Sequence, residues 1–583
     1  MPTKIIETDV LVVGHGLAGL GAAITVKEEN PELRVVTFDK GSVGYAGKAN
    51  KGGGHVAFIP EGAEETYVEY HTRNLGDYLN DQDMLRKYAY STIKTMDRWA
   101  SWGVKFIGRE TAQNAHPVIP WKICLVDLDM MIHMAKHARK LGVESFDKVA
   151  LTDLLTEGDR VVGAIGLDLL TNETIVFKAK STILANGNQC WKIVGMWSSS
   201  GGDGIAAAYR AGAKMRNAEF GSFVNMMTLS SKTIAYGAED ALTNAKGELC
   251  TERANLDPRL KSVVGGVDLG GSQSVLMLMD VREGKGPIYE DTEKNQLPGS
   301  FIGRNLCCYG GTADPEFYRP VAQKFWDRLY YKNRLESFTD DNPMKEVVPA
   351  VVGEQSPLYV DHNMATTLKG LYAAGDICAN GSAWSGAVPT PPGRNRGSGL
   401  LHAVFTSIIA GESAAKFASE NTYGEIDQEQ VAKLERRIYE PLEIEGDSFT
   451  PDDIVWEIKN LMQPVEYSGY KEEGRLKEAL NRVLNAKEKL NKVKPNTRDG
   501  HGLMEVNECK SIVLCAEMFF RASIERKESR GWHIREDYKD RDDENFLKWI
   551  IIEDNGGEMK LSFEDIPIDS YEYKPEQKVS EGI

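Results

Sequence analysis

The chain has 583 residues, 42% of them apolar and 27% charged, and a formal charge of −17 at pH 7. That length exceeds what one hydrophobic core fills and predicts two to four domains, roughly one per 150–250 residues. The acidic balance excludes a nucleic-acid binder, which needs basic surface, and the composition is that of an ordinary soluble protein.

The first element is an apolar run of strand length, Thr8-Asp9-Val10-Leu11-Val12-Val13. It breaks into Gly14-His15-Gly16-Leu17-Ala18-Gly19, continues as a helix-like stretch to Ile24, and returns as the apolar run Leu33–Phe38 ending in Asp39. Strand, glycine turn, helix, strand and acid form the βαβ unit that binds a dinucleotide. Gly14 allows the tight turn, Gly16 admits a pyrophosphate to backbone amides, and Gly19 lets helix and strand pack closely. Asp39 stands twenty residues beyond Gly19, where a carboxylate accepts hydrogen bonds from a ribose.

The stretch from Lys40 to His55 is dense in glycine, which suits close backbone approach to a flat ligand. A helical segment is predicted from about Asp83 to Trp102, and short strands from Ser145 to Ala185 with a turn at Glu157-Gly158-Asp159. That region closes with a buried strand ending at Ala185-Asn186-Gly187. Gly202-Asp203-Gly204 opens an alanine-rich helix. Between Phe220 and about Asn342 the composition shifts to glycine, proline and polar residues, as in an inserted domain. Dinucleotide-binding character returns at Gly370–Asp376, and an apolar helix runs to about Phe417. From Asp427 onward helices dominate, with Leu476, Leu480, Val483 and Leu490 at helical spacing as a packing face.

No run approaches the roughly 20 apolar residues of a membrane span; the strongest, Ile512 to Ile524, carries Glu517 and Arg521. No leader pattern opens the chain, and the scattered cysteines fit a reduced, cytoplasmic compartment. The eight cysteines, at 124, 190, 250, 307, 308, 378, 509 and 515, show no CxxC or cluster-binding spacing, and no internal metal site is expected.

Taken in order, these motifs resemble one superfamily: the flavoprotein subunits of fumarate reductase and succinate dehydrogenase, with adenylylsulfate reductase alpha and L-aspartate oxidase as relatives. The resemblance covers nearly the whole length. It rests on Gly14-x-Gly16-x-x-Gly19, Gly202-Asp203-Gly204 with Arg210-Ala211-Gly212-Ala213, Glu219-Phe220 and Asn244–Glu248. It continues in Gly370–Asp376, Ser398–Leu401 and the C-terminal signature Arg526–Tyr538.

The resemblance implies an α/β fold, α+β overall. A Rossmann-like FAD-binding domain spans 1–215 and 346–425, a capping domain is inserted at 216–345, and a helical C-terminal domain covers 426–583. It implies FAD, held by Gly14, Gly16, Leu17, Ala18, Gly19, Asp39, Lys40, Gly41, Ala46, Gly47, Lys51, Gly52 and Gly53. Val149, Ala150, Ala185, Asn186, Gly187, Asp203, Gly375, Asp376, Ser398, Leu400 and Leu401 complete that set. Asp376 stands where the family usually has Glu.

The departures are as informative. Ala46 occupies the place of the flavin-linking histidine of respiratory members, and no histidine lies between Val43 and Lys51, so FAD is expected to be noncovalent. The two histidines that grip the dicarboxylate in fumarate reductases fall at Val224 and Val352, so ordinary fumarate or succinate chemistry is not expected. Arg394 and Arg396 could clamp an anionic substrate as planar, bidentate donors. Arg253 and Arg259 are candidates for the capping-domain proton donor, and His55 could reach the substrate side of the flavin.

Three functional readings follow. One is a flavoprotein subunit that exchanges electrons between a ferredoxin-like iron–sulfur partner with [4Fe–4S] clusters and a small anionic substrate. The second is an adenylylsulfate reductase alpha subunit, and the third a non-enzymatic flavin relay in a larger complex. With no second complete GxGxxG unit, slow reaction with NAD(P)H is expected. The C-terminal segment Glu528-Ser529-Arg530-Gly531 is expected to help frame the partner interface.

Overall fold

The computed structural model describes residues 4–51, 54–112, 122–127, 129–193, 200–221, 224–228, 242–250, 269–291, 344–351, 353–379, 398–531 and 533–575. Its organising strand, β1 (Lys4–Val13), lies between β2 (Val35–Asp39) and the strand Thr174–Leu184, parallel to both, with Val13 in register with Phe38 and Leu184. A parallel strand covered on both faces needs an unbroken apolar run, and Val10, Leu11, Val12 and Val13 are all fully buried. The sheet continues past β2 to Glu144–Asp147, and past Thr174–Leu184 to the antiparallel pair Arg160–Asp168 and Val149–Glu157. The short strand Leu371–Ala373 pairs with the carboxyl end of Thr174–Leu184.

α1 (Leu17–Glu29) follows β1 and is buried continuously from Leu17 to Val26. Its small residues let it cross the helix Ser398–Glu420 at backbone contact: a Cβ on Gly21 would lie 2.3 Å from Ser407 Oγ, and one on Gly411 would lie 2.9 Å from Ala22 O. The segment predicted as one helix near 83–102 forms two, Gln82–Ala89 and Thr92–Ser101. Asp81 caps the first, accepting from the amide of Met84 at 2.9 Å.

The stretch read as an insertion contributes a separate antiparallel sheet, ordered Val224–Thr228, Met344–Val351, Ile288–Asp291 and Leu242–Asn244. The C-terminal third packs the helices Pro451–Met462, Glu473–Lys489 and Gly500–Glu525 around Leu476, Val483, Ile454 and Phe519. It is not helical throughout. The hairpin Lys548–Asn555 with Glu558–Asp565 joins Met215–Arg216, Leu358–Tyr359 and Cys378–Ala379 in a third sheet, binding the chain's end to the start and finish of the insertion. Among the described residues no helix is long and apolar enough to cross a membrane.

The C-terminal signature lies inside the molecule. Arg526 Nε donates to Glu219 Oε1 at 2.7 Å, and Glu528 bridges Arg526 and Arg530, with all four side chains fully buried. Lys471, also fully buried, donates to Glu219 O, Ser523 Oγ and His533 Nδ1 at 3.0, 3.1 and 2.9 Å. Such charges persist only where each is paired and hydrogen-bonded. In the segment expected to help frame a partner interface, the side chains of Glu528 and Arg530 are fully buried, Glu528 between Arg526 and Arg530, and Arg530 also bonded to Asp77 and Asp543.

Candidate functional site

At the end of β1 the chain turns through Gly14, whose φ of 118° favours glycine. A Cβ there would lie 2.4 Å from Ala185 O, and one on Gly19 would lie 1.8 Å from Gly14 O. Both are therefore fixed as glycine by backbone on the far side. Gly16 caps α1 with no side-chain bond and no acid in the first turn. The first helical amides have no intrahelical acceptor, so they and the helix dipole face outward as an anion cradle. The loop after β2 crosses this turn. Gly47, at φ 82°, would place a Cβ 2.9 Å from Gly16 Cα, and the neighbouring Ala46 is buried beside Gly41.

Asp39 ends β2 and ties the two loops together. Its Oδ2 accepts from the amide of His15 at 2.7 Å and its Oδ1 from the amide of Gly41 at 2.5 Å. Each oxygen retains acceptor capacity for a ligand hydroxyl. The amide of Lys148 donates to Gly41 O at 3.1 Å, which sets Val149 and Ala150 beside the same loop. His15 itself points into the protein: its Nε2 meets Thr37 Oγ1 at 2.9 Å, and burial pushes its pKa down despite Asp39 and Asp147 nearby.

The opposite rim is built by Ala185-Asn186-Gly187 and by Gly375-Asp376. A Cβ on Gly375 would lie 2.7 Å from Ala18 Cβ, so this second turn abuts the start of α1. Thr406 Oγ1, on the helix that Ser398 opens, accepts from the Gly375 amide at 2.9 Å. On that helix Leu401 is fully buried and Leu400 partly so. Asn186 Oδ1 and Asp203 Oδ1 are buried with no hydrogen-bond partner among the described residues. Buried orphan polar atoms beside a glycine-lined cradle are what a polar ligand leaves behind, and this set suits a dinucleotide lying across the carboxyl ends of the strands.

A charge cluster closes the site from below. Lys40 Nζ is 2.9 Å from Asp203 Oδ2 and also bonds Glu508, whose other oxygen lies 2.5 Å from Lys192 Nζ. Burial and then Lys40 act on Asp203, and burial prevails, holding its carboxyl above the usual range. At Glu508 burial is outweighed by Lys40 and Lys192, which hold it below. Glu508 and Lys192 were not among the residues expected here. Glu508 comes from the helix Gly500–Glu525, and no local pattern links it to residues near the amino terminus.

Of the expected catalytic residues, Arg253, Arg259, Arg394 and Arg396 lie outside the described residues, as do Gly52 and Gly53. His55 opens the strand His55–Phe58, in register with Leu125, and only its backbone is described. Lys51 ends a short 3-10 turn, Ala49–Lys51. Val224 opens the insertion sheet in register with Val351, the residue before Val352. Val352 itself lies outside the described residues.

Comparison with known proteins agrees with this geometry. The model of the FAD binding domain matches residues 9–387, and that of the fumarate reductase flavoprotein C-terminal region matches 457–580. One component of the fumarate reductase (CoM/CoB) of Methanothermobacter marburgensis is 26% identical, over 92% of this chain and 96% of that one. The 8-methylmenaquinol:fumarate reductase flavoprotein subunit of Wolinella succinogenes is also 26% identical, over 97% and 91%. In three dimensions the chain resembles the E. coli quinol fumarate reductase flavoprotein, with a TM-score of 0.79 at 19% identity and 99% of both chains covered. It also resembles adenylylsulfate reductase from Archaeoglobus fulgidus, with a TM-score of 0.76 at 21% identity over 97% and 96% of the two chains. The chain belongs to the FAD-dependent oxidoreductases of the fumarate reductase and succinate dehydrogenase flavoprotein family.

Proposed function

We propose that this chain is a catalytic flavoprotein subunit that exchanges electrons between an iron–sulfur partner and a small anionic substrate other than fumarate or succinate. The observation that carries this reading is the pair Val224 and Val352, where histidines would grip a dicarboxylate. Val224 pairs with Val351 at one sheet end, and Val352 follows Val351 in the sequence. Valine offers no donor, and each lost charge-assisted bond is worth on the order of 1.5–3 kcal/mol.

When bound, FAD supplies two-electron chemistry, and the protein supplies position and charge. Gly14, Gly16, Gly19 and the first amides of α1 would hold the pyrophosphate. Asp39, Gly41, Val149 and Ala150 would hold the adenosine, and Asp376, Ser398, Leu400 and Leu401 the other half. Arg394 and Arg396 remain the proposed clamp for the substrate anion, four and two residues before Ser398. Onward electron transfer is assigned to a separate carrier, because the cysteines show no cluster-binding spacing in the sequence.

Purification from the native host tests the partnership. An iron-containing subunit should co-purify, and the isolated chain should be slow with NAD(P)H. A chain that purifies alone and turns over rapidly with NADH would refute it.

A further inference from the structure

The parallel strands give the cradle a direction. Asp39 and Gly41, at the end of β2, mark the adenosine side; Gly14–Gly19, at the end of β1, marks the pyrophosphate. The remaining half of the dinucleotide must extend the other way, over Thr174–Leu184 and Leu371–Ala373. Asp376 follows Leu371–Ala373 and Gly375, whose added Cβ would lie 2.7 Å from Ala18 Cβ, so it stands beside the start of α1 on the side of those two strands. The loop after β2 follows the same path. Gly41 lies at the adenosine, Gly47 crosses Gly16, and Lys48 arrives at the flavin side, its Nζ 4.0 Å from Asp376 Oδ2 and 3.5 Å from Glu354 Oε1.

Glu354 is almost fully buried and comes from the segment that returns from the insertion sheet. Its amide donates to Gly221 O at 3.1 Å, and the next residue, Gln355, exchanges backbone bonds with Gln189 at 3.0 Å. The carboxylate end of the pair is therefore held by backbone, and the Lys48 side chain is largely buried. Among the described residues, Lys48 here faces the carboxylates of Glu354 and Asp376.

We propose that Lys48 and Glu354 form a cation–carboxylate pair that sets the reduction potential of the bound flavin, with Lys48 favouring the reduced form and Glu354 opposing it. The proposal rests on FAD lying across the Gly14–Gly19 turn. Reduction adds two electrons and leaves negative charge on the ring system, so a nearby ammonium stabilises the product and a carboxylate destabilises it. A unit charge at about 8 Å, with an effective dielectric constant near 20, changes that equilibrium by roughly tenfold or more. Lys48 and Glu354 act as positioning charges and need not touch the reacting atoms.

The test is an anaerobic titration of the full-length flavoprotein against a reference dye, with FAD stoichiometry measured first. Wild type, Lys48→Met, Lys48→Arg and Glu354→Gln should each carry one FAD. Lys48→Met should lower the reduced-to-oxidised ratio at a fixed dye potential by about tenfold, equivalent to about 30 mV for a two-electron couple. Glu354→Gln should raise it, and Lys48→Arg should stay near wild type. Shifts of the same sign in Lys48→Met and Glu354→Gln, a Lys48→Met ratio within about twofold of wild type, or loss of FAD from Lys48→Met would overturn the proposal. Absence of FAD from the wild type would instead overturn the site on which it rests.

Discussion

At the scale of single residues, the cradle depends on atoms that cannot be added. A methyl group on Gly19 would meet Gly14 O at 1.8 Å, and relief would require the start of α1 to move off β1. Gly19→Ala should cost about 1–3 kcal/mol by overpacking and leave the purified protein depleted in FAD; a yellow, fully loaded variant of wild-type stability would show the turn is not the site. Ala46, buried beside Gly41, offers no nucleophile to the flavin. Acid precipitation should therefore release all the cofactor as free FAD, and colour kept in the denatured pellet would contradict noncovalent binding. Asp81 and His362 give a pH signature away from the site, their side chains meeting at 2.6 Å. The hydrogen bond to Asp81 raises His362 above its ordinary 6.5, and His362 outweighs burial to lower Asp81 below 3.8. Stability from the histidine is complete below its ordinary value and lost as pH rises through the raised one. Stability from the aspartate is complete above 3.8 and lost as pH falls through the lowered one. The melting-temperature difference between wild type and His362→Gln should be largest near pH 5–6 and fade toward pH 9; a difference that grows with alkalinity would exclude this pairing.

At the scale of elements, the βαβ unit was legible because its logic is local. Strand, glycine turn, helix and acid follow within forty residues, and Gly14 takes the tight turn and Gly19 the close packing expected of them. Asp39 shows where local reading stops. A ribose partner was anticipated, yet both carboxylate oxygens also hold backbone amides of His15 and Gly41, a tie visible only once β2 is folded against β1. The helix Gly500–Glu525 is a stronger case. Its apolar face was readable, but not that Glu508 would reach Lys40 and Lys192. Removing one member of a buried charge cluster leaves the others uncompensated, at a cost of about 3–5 kcal/mol. Glu508→Gln should lower the thermal midpoint and weaken FAD retention together, since Glu508 holds Lys40, which lies between Asp39 and Gly41. An unchanged midpoint would mean the lysines find other partners.

At the scale of the molecule, the order of motifs along the chain identified the family before any contact was known, because each motif is a short run with its own backbone requirement. The long-range closures were not legible. Trp549-Ile550-Ile551-Ile552 is too short a run to be told from a buried helix turn, so the hairpin that seals the insertion to the C-terminal region went unread. Arg526–Tyr538 was recognised as a signature, with Glu528–Gly531 expected near a partner, but its buried ion network with Glu219 was not legible, because a charged run in sequence reads as surface. The central claim is that this scaffold keeps the flavin of its family and has lost the dicarboxylate grip. The most direct measurement mixes the anaerobically reduced flavoprotein with fumarate and follows flavin absorbance. The flavin should stay reduced over many seconds; reoxidation at rates on the order of 10 per second, typical of an enzyme, would contradict the account.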